Sequence, residues 1–220
     1  MNVPLPNLPP ELTERLDTDK MGKLQAFASL IIDYNRRINL ISRKDIGNIW
    51  ENHILPSIIV DWILNIEPRA IVVDVGTGAG LPGIPLKIIR PDLRLTLIDS
   101  VRKKTLFLKK AIAILDLSDI TVINTRIDRD SASIPLSHKF SILTVRGVSS
   151  IYNLINKFSF LLKPDGYMLI WKGERDLSEL HELKIKLNFD YEIYSPPSGF
   201  TPHSQKVESL RIIKLNPFLV

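Results

Sequence analysis

The residues best suited to chemistry lie in one stretch, Val73-Asp74-Val75-Gly76-Thr77-Gly78-Ala79-Gly80-Leu81-Pro82-Gly83. Closely spaced glycines let a chain turn tightly and bring bare backbone against a ligand. The β-branched run Ile71–Val75 precedes the loop, and a helical pattern near Ile84–Arg90 follows it. In that order, the first N–H groups of the helix stay open toward a polar ligand. Pro82 and Pro85 fit a first helical turn, where N–H groups lack partners anyway. Asp99 ends the next strand-like run, 19 residues after Gly80. That is the expected place for a carboxylate gripping ribose hydroxyls. A nucleoside-containing cofactor follows.

Two cofactor classes compete. Gly78-Ala79-Gly80-Leu81-Pro82-Gly83 reads as the dinucleotide string G-x-G-x-x-G, which would suit a nicotinamide-dependent oxidoreductase. Against it stands Asp74, two residues before the first glycine. A carboxylate there disfavours a nearby pyrophosphate. It suits S-adenosyl-L-methionine, which carries an ammonium and a sulfonium and no phosphate. The other reading of Asp74 is a carboxylate that caps loop amides.

A basic helix follows Asp99. Arg102, Lys103, Lys104, Lys109 and Lys110 occur with no acid between Val101 and Ala111. Arg102 and Lys109, and Lys103 and Lys110, are seven apart and share one face, opposite the apolar seam Val101, Thr105, Leu108, Ile112 and Leu115. Such a face suits RNA phosphates, and Lys103 stands closest behind the Asp99 loop. Phe200 and His203, in the loop Ser195–Lys206, are placed to stack an unpaired base or to decorate an ordinary surface loop.

These groups need a scaffold, and the chain supplies one. Leu24, Phe27, Ile31, Tyr34 and Ile38 predict an amphipathic helix, after an extended opening with Pro4, Pro6, Pro9 and Pro10. A second helical stretch is expected from Asp45 to Leu64, interrupted at Pro56. From Ala70 strands and helices alternate. Strands are expected at Ile71–Val75, Leu93–Ile98, Ile120–Asn124, Phe140–Val145, Tyr167–Lys172, Phe189–Tyr194 and Val207–Leu215. Helices are expected at Ile151–Leu162 and Leu177–Leu187, and a turn at Lys163-Pro164-Asp165-Gly166. Alternation argues an α/β fold with a parallel, doubly wound sheet. The final strand joins its predecessor without a helical pattern, so it runs antiparallel. The expected division is a helical extension over 1–68 and a Rossmann-like domain over 69–220, forming one compact unit.

Composition narrows the classes. The 220 residues, 45% apolar, suit one globular domain with a full core. There is no Cys, which excludes disulfides, Cys-ligated zinc and any Cys nucleophile. No metal site is expected. No apolar run approaches the ~20 residues that span a bilayer, and the opening lacks the pattern of a signal peptide. A cytoplasmic protein away from membranes is the default. The net charge of +5 permits a nucleic-acid partner without demanding one.

The glycine loop, the acid after the second strand and the terminal strand pair resemble class I S-adenosylmethionine-dependent methyltransferases. Further motifs are Asn35-Arg36-Arg37-Ile38-Asn39-Leu40, the His53 segment, Asp74 to Leu86, Asp99-Ser100, Val145-Arg146 and Leu161-Leu162-Lys163-Pro164-Asp165-Gly166. Together they resemble the 16S ribosomal RNA guanine-N7 methyltransferase family, also called glucose-inhibited division protein B. The resemblance covers nearly the whole chain. It implies a cofactor site of Asp74, Gly76, Gly78, Gly80, Leu81, Asp99 and Arg146, with Ile127 and Asp128 beside the adenine. Asp128 stands where the family often has Glu, and Gly147 where it usually has Ala. The resemblance also implies RNA contacts from Asn39, His53, Arg126 and Arg211, to which the basic helix adds Lys103. The substrate would be 16S ribosomal RNA, in the small subunit or its assembly intermediate, methylated at position 527 in the 530 loop by a monomer.

The chemistry agrees with that target. Methylation of pyrimidine carbon 5 normally uses a Cys nucleophile. Exocyclic amine methylation usually uses an Asp/Asn-Pro-Pro-aromatic motif, where this chain reads Thr144-Val145-Arg146-Gly147-Val148. Guanine N7 bears a lone pair and has no proton to lose, so no catalytic acid or base is assigned. Alignment and electrostatics suffice. The alternative of another class is a non-catalytic RNA-binding assembly factor on the same fold.

Overall fold

The computed structural model describes residues 13–14, 16–127, 134–147, 149–187, 189–197 and 209–217. Asp128, the proline-rich opening, Phe200 and His203 lie outside them. Seven strands form one sheet: β1 (Ile71–Val75), β2 (Arg94–Asp99), β3 (Ile120–Asn124), β4 (Phe140–Arg146), β5 (Leu162–Gly173), β6 (Asp190–Tyr194) and β7 (Leu210–Asn216). Their order is β3-β2-β1-β4-β5-β7-β6. The first five run parallel, and β7 is antiparallel to both β5 and β6. This is the class I methyltransferase, Rossmann-like arrangement with an antiparallel final strand. The central strands are buried on both faces, as their nearly continuous apolar runs require.

The longer helices flank the sheet. In chain order they are α1 (Thr18–Asn35), α2 (Gly83–Ile89), α3 (Arg102–Ile114), α4 (Ile151–Phe158) and α5 (Ser178–Leu187), with shorter turns between Arg43 and Ile63. Period-two alternation sorts the strand residues. Leu169 and Ile212 join a cluster with Phe27 and Ile31 of α1, Ile58, and Phe107 and Leu108 of α3. Ile170 and Ile213 face the other way, toward Ile155 of α4 and Leu180 of α5. The N-terminal helical segment thus packs on the same sheet face as α2 and α3.

Four elements differ from the sequence pattern. The helix expected to reach Leu162 ends at Phe158, a 3₁₀ turn (Ser159–Leu161) follows, and Leu162 already opens β5. Helix α1 ends at Asn35 rather than reaching Ile38. The buried Asn35 side chain accepts from the N–H of Leu40 (2.8 Å) and of Ile41 (3.0 Å) and donates to the Ile41 carbonyl (3.1 Å). It folds residues 36–41 into a compact turn. The stretch from Asp45 to Leu64 is a chain of short pieces, not one interrupted helix. A 3₁₀ turn (Arg43–Asn48), a π-turn (Trp50–Ile54) and two α-turns (Leu55–Ile58 and Val60–Ile63) succeed one another. Pro56 lacks the N–H that would continue an α-helical ladder. Finally, Lys163–Gly166 is not a turn before a strand. It bulges within β5, where pairing with β4 jumps from Phe140↔Leu162 to Ile142↔Tyr167.

Candidate cofactor cleft and substrate pocket

The glycine loop leaves β1 with Gly76 at φ +66°, Gly78 at +56° and Gly80 at +88°. At Gly80 a Cβ would lie 2.7 Å from Ile84 Cδ1 and 2.9 Å from Leu108 Cδ2. That glycine lets the loop pack on α2 and α3. At Gly76 a Cβ would meet nothing within 4 Å, so its bare backbone faces open space.

Asp74 fixes the loop. It has no exposed surface. Its Oδ2 accepts from Thr77 Oγ1 (2.6 Å) and from the Gly83 N–H (3.0 Å), and its Oδ1 accepts from Thr144 Oγ1 (3.0 Å). Burial pushes its carboxyl up to about 6, against the opposing pull of these three hydrogen bonds. This geometry revises the expectation that Asp74 faces a cationic ligand. The carboxylate is turned into the protein, and it shapes the loop that the ligand would meet.

Asp99 does face the cleft. It lines a recess with Val75, Gly76, Ile98, Ser100, Thr125, Arg126, Ile127, Lys157 and Phe158. Its Oδ2 accepts from the Gly78 N–H (2.9 Å) and its Oδ1 from the Val101 N–H (2.8 Å). A carboxylate has about four lone-pair sites, so each oxygen keeps one for a hydroxyl. Ile127 supplies an apolar wall. Exposed glycine backbone, an acid with spare acceptors and an apolar wall fit the adenosine part of S-adenosylmethionine. Leu81 is buried with the loop. Arg126, expected on the RNA side, borders this cleft. Lys104 is a further candidate, which the sequence pattern gives only as one member of the basic helix. Its Nζ lies 3.9 Å from where a Gly78 Cβ would stand, a proximity that only the packing of α3 on the loop reveals.

A second recess, of about 510 Å³, opens beside the first. Glu51, Asn52, His53, Pro56, Arg146, Gly147, Trp171, Lys172 and Leu210 are among its lining. Asp74 pairs with Thr144 across β1 and β4, so Gly76 and Arg146 emerge side by side. His53 Nε2 lies 3.3 Å from Asp45 Oδ2, and Asp45 Oδ1 accepts from Asn52 Nδ2 at 2.9 Å. Arg146 Nη1 donates to the His53 carbonyl (3.3 Å), and Nη2 donates to the Asn52 carbonyl. Burial lowers the guanidinium to about 10, while Asp45 and Asp74 support its charge. Arg146 therefore lines the second recess with His53 and stands next to the Gly76 backbone of the first.

The remaining expected RNA residues are spread. Asn39 stands exposed on the turn that Asn35 organises, beside Arg36, Arg37 and Arg43. Lys103 is exposed on α3. Arg211 pairs with Lys172 across β7 and β5, and its Nη2 donates to Glu174 Oε1 at 3.0 Å, which pins it near the rim of the second recess. Among the described residues no cluster of His, Asp or Glu has the make-up of a metal site, and no helix is long and apolar enough to cross a membrane.

Comparison with known proteins agrees with this picture. Residues 20–205 match the family model described as rRNA small subunit methyltransferase G. The chain is 36% identical over 166 residues to a Ribosomal RNA small subunit methyltransferase G of Moorella thermoacetica, covering 76% of this chain and 69% of that one. It is 35% identical over 189 residues to the protein of that name from Halorhodospira halophila, covering 86% of each. Among solved structures it resembles a SAM-dependent methyltransferase from Aquifex aeolicus (TM-score 0.55, 14% identity, 79% of this chain and 94% of that one). It also resembles the CurJ carbon methyltransferase (TM-score 0.59, 12% identity, 94% and 69%). At these identities the structural likenesses speak to fold alone.

Proposed function

Because the chain belongs to the rRNA small subunit methyltransferase G family, we propose that it methylates N7 of one guanine in 16S ribosomal RNA, at position 527 in the 530 loop. Membership carries S-adenosylmethionine-dependent methylation of ribosomal RNA. The acceptor atom and its place are our reading. The observation that supports it is the pairing of two recesses at the ends of β1 and β4, one with bare glycine backbone and Asp99, the other with His53 and Arg146.

When bound, S-adenosylmethionine supplies an electrophilic methyl group on a sulfonium sulfur. Asp99 would hold the ribose with its two spare acceptor sites, and the Gly76–Gly78 backbone would lie against the rest of the nucleoside. Leu81 and the buried Asp74 keep that backbone in place. Ile127 offers the adenine a dry wall. The second recess receives the base. Guanine N7 presents a lone pair, so no residue has to take a proton from it. His53, held by Asp45, positions the base or a phosphate. Asn39, Lys103, Arg126 and Arg211 contribute polar or positive groups toward the RNA backbone.

The test is transfer of labelled methyl to 16S RNA or small subunits, followed by nucleoside mass spectrometry. One 7-methylguanosine at the stated position is expected. Label on another atom or another base would overturn the reading. The single-turnover rate should vary little between roughly pH 5 and 8.5, a window that brackets the reference His value of about 6.5, and His53→Gln should keep much of it. A tenfold rise per pH unit at the acidic end, abolished in His53→Gln with RNA binding intact, would instead make His53 a general base.

A further inference from the structure

Proline has no backbone N–H, so a helix through Pro56 leaves the carbonyl four residues upstream without its ladder partner. That carbonyl belongs to Asn52. In this structure the guanidinium of Arg146 donates to it and, through its other terminal nitrogen, to the carbonyl of His53. Ser57 Oγ donates to the His53 carbonyl at 2.6 Å, and Trp171 Nε1 to the Pro56 carbonyl at 2.6 Å. The broken turn is therefore gripped from β4 and β5, across more than ninety residues of chain. Its side chains converge elsewhere. Asn52 Nδ2 and His53 Nε2 both reach the carboxylate of Asp45. Two residues before Arg146 on the same strand, Thr144 donates to Asp74, the pin of the glycine loop.

We propose that Arg146 is a positioning residue: by holding the two carbonyls at the Pro56 break, it sets the face that His53 presents to the acceptor base. The proposal rests on the reading of the second recess as the base pocket. A planar fork suits the task because it can engage two acceptors at once, whereas a lysine ammonium is a point charge on a flexible stem. Because β4 also carries Thr144, one strand holds both the cofactor loop and the base pocket in a common register.

Two variants attack the grip from opposite sides. Arg146→Lys keeps a charge and loses the fork. Pro56→Ala keeps Arg146 and supplies an N–H that competes for the Asn52 carbonyl. Both should shift the His53 ring signals in the ¹H–¹⁵N spectrum of the cofactor-free protein. Both should slow single-turnover methyl transfer at saturating RNA and cofactor, Arg146→Lys by about tenfold or more. In a His53→Ala background, Arg146→Lys should slow transfer by less than about twofold, because residues acting as one unit are not additive.

Unmoved His53 signals in both variants would overturn the proposal, as would a full tenfold loss in the His53→Ala background. Should Arg146→Lys fail to fold, Pro56→Ala carries the same spectroscopic and kinetic arms. The spectra read the grip without any methyl transfer. A parent enzyme that leaves no 7-methylguanosine would therefore fail the functional reading separately.

Discussion

Asp74 is shut away from water and keeps three hydrogen bonds, and that combination has a measurable signature. Its carboxyl lies at about 6, raised chiefly by burial. The folded state thus binds this proton more tightly than the unfolded chain does. The resulting stabilisation is complete below about pH 4 and is lost as pH rises through about 6. Asp74→Asn, which stays neutral, should escape that loss. Urea midpoints taken from pH 4 to 7.5 should show the parent losing ground to the variant, by at most ~3 kcal/mol. Parallel curves would mean that Asp74 does not feel its burial. Asp99 should behave differently, since its oxygens face the cleft. Asp99→Ala removes the acceptor of the Gly78 and Val101 N–H groups as well as any ribose hydrogen bond. S-adenosylhomocysteine binding should weaken by roughly 1–3 kcal/mol by calorimetry, and unchanged affinity would displace the cofactor from this cleft.

The loop and its helix separate two kinds of glycine. Gly80 sits against Ile84 and Leu108, and a side chain there collides with the packing of α2 and α3. Gly78 has more room, with Gly76 O at 3.8 Å and Lys104 Nζ at 3.9 Å from a built Cβ, but its φ is positive. Gly78→Ala should cost about 1–2 kcal/mol of stability through backbone strain. Gly80→Ala should cost more, through strain and overpacking together. Thermal melts of the two variants check the order, and Gly78→Ala being the less stable would reverse the assignment. Much of this element is legible in the chain. The β-branched run, the glycines and the acid at Asp99 are local signals, and the alternation that follows implies the sheet. The segment from Arg43 to Ile63 is not legible. Ile46, Ile49, Trp50, Ile54 and Ile58 are compatible with a continuous helix. Around Pro56 the turn is held by donors from Arg146 and Trp171, which local periodicity cannot register. Asp74 shows the same limit. Its charge argues against a pyrophosphate, but its partner Thr144, seventy positions away, turns it inward. Arg146 is matched by motif and placed by geometry in the neighbouring recess.

At the scale of the molecule, positive side chains stand exposed on separate elements: Arg36, Arg37 and Arg43 around the turn after α1, Arg102, Lys103 and Lys109 on α3, and Arg126 by the cleft. Lys110 differs, because its Nζ lies 5.3 Å from the Tyr34 ring centroid and ties α3 to α1. RNA binding should weaken as salt rises. Lys103→Ala should make the log–log slope shallower by about one unit for each phosphate that Lys103 neutralises. Titrations at several salt concentrations read this directly, and an unchanged slope would place Lys103 off the RNA path. The sheet order carries a separate consequence. β6 precedes β7 in the chain, yet β7 lies between β6 and the rest of the sheet. Every strand hydrogen bond that holds β6 to the sheet therefore runs through β7. The pair should open as a single cooperative unit, with β6 unable to outlast β7. Native-state hydrogen exchange should give the amides of Tyr191 and Ile193 opening free energies no higher than those of Ile212 and Ile213, and β6 protected after β7 has exchanged would contradict it. Each such opening uncovers the edge of β5 from Met168 to Gly173, a row of unpaired backbone groups that another chain can extend. The stability of one peripheral hairpin, rather than that of the whole domain, should then set the rate at which this protein aggregates on warming.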